Sequence, residues 1–129
     1  MKAVLAVAVG GAAGAIARYA VYLATSHWVG TGFPLATIVV NVLGSFALGV
    51  LVEGMALAWS PSAELRLFLI VGILGSFTTF STFSLDFAVL YERGAWPQLT
   101  AYTVASVAFS IGALFAGMRI ARLMIGAGE

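Results

Sequence analysis

The chain has 129 residues, 62% of them hydrophobic and only 9% charged, against about 25% charged in soluble domains. So little charge cannot cover a water-facing surface, and a net charge of +1 without a basic cluster excludes a nucleic-acid partner. The absence of cysteine excludes disulfides, thiolate metal sites and cysteine nucleophiles.

A membrane span needs about 20 mostly apolar residues. Four segments qualify, at 3–25, 34–58, 65–91 and 97–124, and together they predict one all-α membrane domain over 1–129. The first opens with Lys2 and the apolar run Ala3 to Val9, which has the look of a signal peptide. Its apolar character continues past Arg18 to Leu23 and three further spans follow, so it reads as a retained span. Gly10, Gly11 and Gly14 read as a packing surface. Arg18 lies about two-thirds along this span. A mid-membrane arginine is a functional candidate by default, and the alternative is a side chain that snorkels to the near interface.

A connector from Trp28 to Phe33 leads to Pro34, which suits a first helical turn. In the second span Thr37, Asn41 and Ser45 recur every four residues and share one face. Asn41 is an amide with donors and acceptors to satisfy in hydrocarbon. Gly44 and Gly49 read as packing positions, and Glu53 as an interfacial carboxylate. The loop Ser60 to Glu64 then offers Ser60 or Ser62 as a helix cap.

The third segment is too long for a simple span. Residues 65–91 in one helix would reach about 40 Å across about 30 Å of hydrocarbon. A break between Gly75 and Thr79 resolves the mismatch, and the backbone groups it frees must meet protein, an ion or water. The run Phe77-Thr78-Thr79-Phe80-Ser81-Thr82-Phe83-Ser84 sits at that break. Phe80 and Phe83 project to one side, as do Thr79 and Thr82. Asp86, further along, is expected to cap or to pair.

Glu92 to Pro97 forms the last turn, and the fourth span carries Tyr102, Ser106 and Ser110 at four-residue spacing. His27, Trp28, Trp59 and Trp96 lie at segment ends, where amphipathic rings favour the membrane interface. Four spans put both termini on one side. Lys2, Arg66, Arg119 and Arg122 fall on that side, Arg18 and Arg93 on the other. The bias favours cytoplasmic termini, but four against two is small enough for both orientations to insert.

Three spans thus contribute polar or aromatic stripes that predict a narrow passage. Hydroxyl and amide donors with positive ring edges favour a small anion. Cation pores use acidic rings, and none is present. Paired carboxylates and a mid-membrane histidine are also missing, so proton relays and enzymatic chemistry lack their parts.

Gly10 to Tyr19, Thr37 to Phe46 and Gly72 to Ser84 closely resemble the Fluc/CrcB fluoride-channel family over essentially the whole chain. The Thr-Thr-Phe-Ser-Thr-Phe block is the specific part; the glycine motif alone is weak. The resemblance implies a fluoride channel, not an enzyme, that exports the ion passively from the cytoplasm and lowers its toxicity. It implies an antiparallel, dual-topology homodimer in a prokaryotic plasma membrane, the inner membrane where there are two. Two pores and a central structural sodium ion follow from it. Phe80 and Phe83 would be the pore phenylalanines and Asn41 the pore amide. Thr37, Ser81, Thr82, Tyr102 and Ser106 would line the polar track. Carbonyls of Gly75 and Thr78 would hold sodium, and Arg18 would match the family's first-helix arginine. Ser76 stands where the family commonly has a second glycine.

The rival from another class is a small proton-coupled multidrug exporter of similar topology. That chemistry needs an acid in mid-membrane, typically in the first span, which here holds Arg18 and no Asp or Glu. A non-transporting subunit held by its glycine faces would leave the coincidence of polar stripes and helix break without a purpose.

Overall fold

The computed structural model describes residues 1–26 and 32–126. His27 and Trp28, expected at the interface, lie outside the described residues. Four segments are long and apolar enough to cross a membrane: Lys2–Thr25, Leu35–Leu57, Ala63–Glu92 and Trp96–Gly126. All are helical, as their apolar length requires, since only internally bonded backbone can face lipid.

Pro34 precedes the second helix at its N-cap rather than within its first turn. Ser62, one of the two expected caps, accepts from the Leu65 N–H at 3.2 Å. The turn into the fourth helix is closed by Gly94 at φ +65°. Its N–H reaches the Tyr91 carbonyl at 2.9 Å while the Ala95 N–H reaches that of Leu90 at 3.0 Å. This is a Schellman termination, which a residue with a Cβ adopts only under strain.

The second and fourth helices form the most extensive pair, and glycine explains it. A Cβ on Gly49 would lie 2.1 Å from the Leu114 carbonyl oxygen, and one on Gly117 2.3 Å from that of Phe46. The first helix packs in the same way on the third span. Cβ atoms on Gly10 and Gly14 would meet the Phe68 and Ile73 carbonyls at 2.5 and 2.1 Å. The expected glycine packing faces are therefore present at Gly10, Gly14 and Gly49, and Gly44 lies against the Thr78 methyl.

The third span is interrupted. It begins with a turn at Ala63–Arg66, widens into a π-helix over Leu67–Leu74, and closes with a turn at Gly75–Phe77. Thr78 and Thr79 then take extended dihedrals before helix resumes at Phe80–Glu92. Gly75 itself is helical, so the interruption falls at the far end of the expected window.

Among the described residues the largest side chains fully withdrawn from the surface are Tyr102, Val40 and Thr37. Many large apolar residues point outward instead, Val4, Val9, Ile16 and Phe115 among them. That pattern is inverted for a water-soluble protein and ordinary for one whose solvent is lipid. Trp59 and Trp96 are exposed near span ends, as expected of interface anchors.

Candidate functional site

The interruption is held open by one side chain. Asn41 Oδ1 accepts from the Thr79 N–H at 2.8 Å, and Asn41 Nδ2 donates to the Thr79 carbonyl at 2.9 Å. The amide takes the place of a neighbouring strand. Thr79 also caps the helix that follows, its Oγ1 accepting from the Thr82 N–H at 3.1 Å. Its hydroxyl further contacts those of Ser81 and Thr82, at 3.2 and 3.1 Å.

These bonds leave a debt elsewhere. In an unbroken helix the Thr79 N–H would serve the Gly75 carbonyl and the Thr82 N–H that of Thr78. Both donors are engaged with side chains instead. The two carbonyls expected to face a cation are thus the two whose helical donors have turned away. Gly75 is moreover exposed on the surface of the single chain.

A groove of about 420 Å³ opens beside the interruption. The second helix lines it with Asn41, Gly44 and Ser45, the third span with Gly75, Thr78, Thr79, Phe80 and Phe83, and the fourth with Ser106 and Ser110. Four of the eight expected pore residues meet here: Asn41, Phe80, Phe83 and Ser106. The hydroxyls of Ser106 and Ser110 are buried and have no hydrogen-bond partner among the described residues. A buried hydroxyl left alone costs about 1–3 kcal/mol, so a hydrogen-bond partner at either would be stabilising.

Thr37 and Tyr102 are elsewhere, in a second cluster. Thr37 Oγ1 donates to Asp86 Oδ2 at 2.7 Å, and the Tyr102 hydroxyl donates to the same oxygen at 2.9 Å. Tyr22 lies 2.9 Å from Thr37 Oγ1. With the Thr37 hydrogen on Asp86, Tyr22 is the donor. The expectation that Asp86 pairs is met by hydroxyls rather than a cation, and the cluster ties all four spans together. Ser81 and Thr82 stay with Thr79, outside the groove lining.

Aromatic rings connect the two clusters. Phe83 lies 5.4 Å from Phe80 and 5.3 Å from Tyr102 between ring centroids, and Tyr102 meets Phe33 edge-on at 6.0 Å. Phe83 therefore stands between the groove and Asp86. Arg18 is half-buried in the first helix and forms no hydrogen bond or ion pair among the described residues. Glu53, expected to be interfacial, is buried and ion-paired to Arg122. Ser76 approaches the first helix, where a Cβ on Gly11 would lie 3.3 Å from its hydroxyl.

Sequence reasoning put Thr79 at the break without giving it a bonding role, passed over Tyr22, and left Asp86 without partners. The available signal was Asp86 itself, because a lone carboxylate in an apolar span must find donors.

Four spans, an interruption in mid-segment and a groove lined by unsatisfied polar groups define a multi-pass membrane protein built around an intramembrane polar site. Residues 5–118 match the family model described as CrcB-like protein, Camphor Resistance (CrcB). A protein of Rhodospirillum centenum named fluoride-specific ion channel FluC is 54% identical over 97% of this chain and 99% of its own length. The protein of that name from Chelativorans is 52% identical over 97% of this chain and all of its own. The one from Agrobacterium fabrum is 48% identical over 90% and 93%. The chain belongs to the CrcB family, whose relatives here are bacterial and named as ion channels, a class without enzymatic chemistry.

Proposed function

We propose that this protein is a fluoride channel that lets the ion leave the cytoplasm down its electrochemical gradient. The observation that carries the reading is the groove beside Thr78 and Thr79. It brings the Asn41 amide, the Phe80 and Phe83 rings and the unpartnered Ser106 hydroxyl onto one surface. Fluoride is small and strongly hydrated, so a path must replace its water with donors and positive ring edges. The relatives named as fluoride-specific channels support the choice of ion.

Asn41 has one Nδ2 hydrogen left after clamping Thr79 and offers it to the anion. Ser106 and Ser110 donate along the fourth helix, and Phe80 and Phe83 contribute ring edges. Thr82, whose hydroxyl accepts from Thr79, keeps its own hydrogen for the donor row beyond the lining, whereas that of Ser81 is directed to Thr79 Oγ1. Thr37 and Tyr102 sit behind Phe83, their hydrogens directed to Asp86. Arg18 is the one cation in the first span away from its start and serves to draw anions toward the entrance.

The working unit is an antiparallel homodimer of dual topology in the plasma membrane, the inner membrane where there are two, with one pore per protomer. The Gly75 and Thr78 carbonyls are the groups that would hold a structural sodium ion between the two copies. The fit rests on those carbonyls having lost their helical donors. When bound, the ion supplies fixed positive charge and ties the two copies together.

Purified protein in liposomes should release fluoride when a potassium ionophore sets the potential, with chloride release at least tenfold slower. A fluoride electrode reads the first and a chloride electrode the second. Equal chloride flux would remove the selectivity, and no flux of either ion would remove the channel.

A further inference from the structure

Among the described residues there is one ion pair. Arg122 donates from Nε at 2.8 Å and approaches with Nη2 at 2.7 Å, both to Glu53 Oε1. Glu53 is only 6% exposed. It lies one helical turn beyond Gly49, where the second helix touches the backbone of the fourth. A carboxylate buried there must be paired, because an isolated buried charge is strongly unfavourable.

We infer that Glu53 withdraws Arg122 from the set of cations that orients the chain, so that both orientations insert. The inference rests on the dual-topology reading above. Orientation follows the Lys and Arg near span ends, and charges toward the C-terminus can flip a topology. Asp and Glu in general contribute little to that rule. Glu53 differs because it is buried in the protein and accepts a hydrogen bond from Arg122 Nε, fixing the guanidinium at the helix contact while the rest of the Arg122 side chain stays 57% exposed. With Arg122 counted, the termini side carries Lys2, Arg66, Arg119 and Arg122 against Arg18 and Arg93. With it masked, three cations face two, and the preference for cytoplasmic termini nearly vanishes.

The chain has no cysteine, so Ser60→Cys places a single thiol in the exposed loop on the termini side. An impermeant maleimide applied to spheroplasts reads the share facing out, normalised to labelling after permeabilisation. In that parent both sides should label comparably. Glu53→Gln frees Arg122 and should cut the outward share about twofold or more. Glu53→Gln with Arg122→Gln should restore the parent's share. Arg122→Gln alone should leave it near the parent's, although this variant strands a buried carboxylate and is the one most prone to misfold. The double variant therefore decides.

An unchanged share in Glu53→Gln, or a double variant that stays shifted, overturns the masking role while dual topology stands. A parent labelled from one side only overturns dual topology itself, and the masking role with it.

Discussion

In the proposed channel Asn41 does two things with one amide. Its oxygen and one of its hydrogens hold Thr79 extended, and only the second hydrogen is free for an ion. Asn41→Ala would leave the Thr79 N–H and carbonyl unpaired in mid-membrane, at about 1–3 kcal/mol for each group. The expected result is a lower thermal midpoint in detergent together with loss of fluoride efflux. Asn41→Asp keeps the acceptor for the Thr79 N–H but not the donor to its carbonyl, so its midpoint should fall between those of the wild type and the alanine variant. Scanning fluorimetry gives the order. If alanine leaves the midpoint where it was, Asn41 does not hold the interruption open. This double duty could not be read from the sequence, because Asn41 and Thr79 are 38 positions apart. Four-residue spacing put Thr37, Asn41 and Ser45 on one face, yet their partners differ: Asp86 for Thr37, Thr79 for Asn41, and the groove for Ser45. Periodicity fixes a face, and only the packing of the third span decides what that face meets.

The helices themselves were far more predictable. Apolar length set four spans whose ends fall within a few residues of those observed, and the excess length of the third forced an interruption. Its exact position was not recoverable, since glycine at Gly75 permits a break but the Asn41 clamp acts at Thr79. Glycine spacing also marked the packing faces without saying which were tight. Gly117 and Gly54 separate the two cases. A Cβ on Gly117 would lie 2.3 Å from the Phe46 carbonyl oxygen, whereas one on Gly54 meets nothing within 4 Å. Gly117→Ala should therefore destabilise by about 1–3 kcal/mol through overpacking. Gly54→Ala should be neutral or stabilising by up to about 1 kcal/mol, from helix propensity alone. Thermal midpoints of the two variants in one detergent test this; equal losses would mean that the second and fourth helices do not touch at backbone distance.

The single chain leaves a particular surface unfinished. Phe80 is 77% exposed, and Val107 and Ile111 beside it are also exposed. Lipid could cover apolar side chains of this kind, so they decide nothing alone. The polar groups on the same groove bear on the proposed dimer: the Gly75 carbonyl has lost its helical donor, and the Ser106 and Ser110 hydroxyls have no partner among the described residues. Hydrocarbon cannot satisfy them. In the proposed dimer a second copy would close the groove and bring a second set of carbonyls to the first. Native mass spectrometry from detergent micelles should then give a species of twice the chain mass. Val107→Trp, which fills the groove edge from an exposed position, should shift the population toward monomer while leaving the helical content unchanged by circular dichroism. A wild-type protein that is monomeric at every detergent-to-protein ratio would rule out closure by a partner, and a fully dimeric Val107→Trp would move the interface away from this groove.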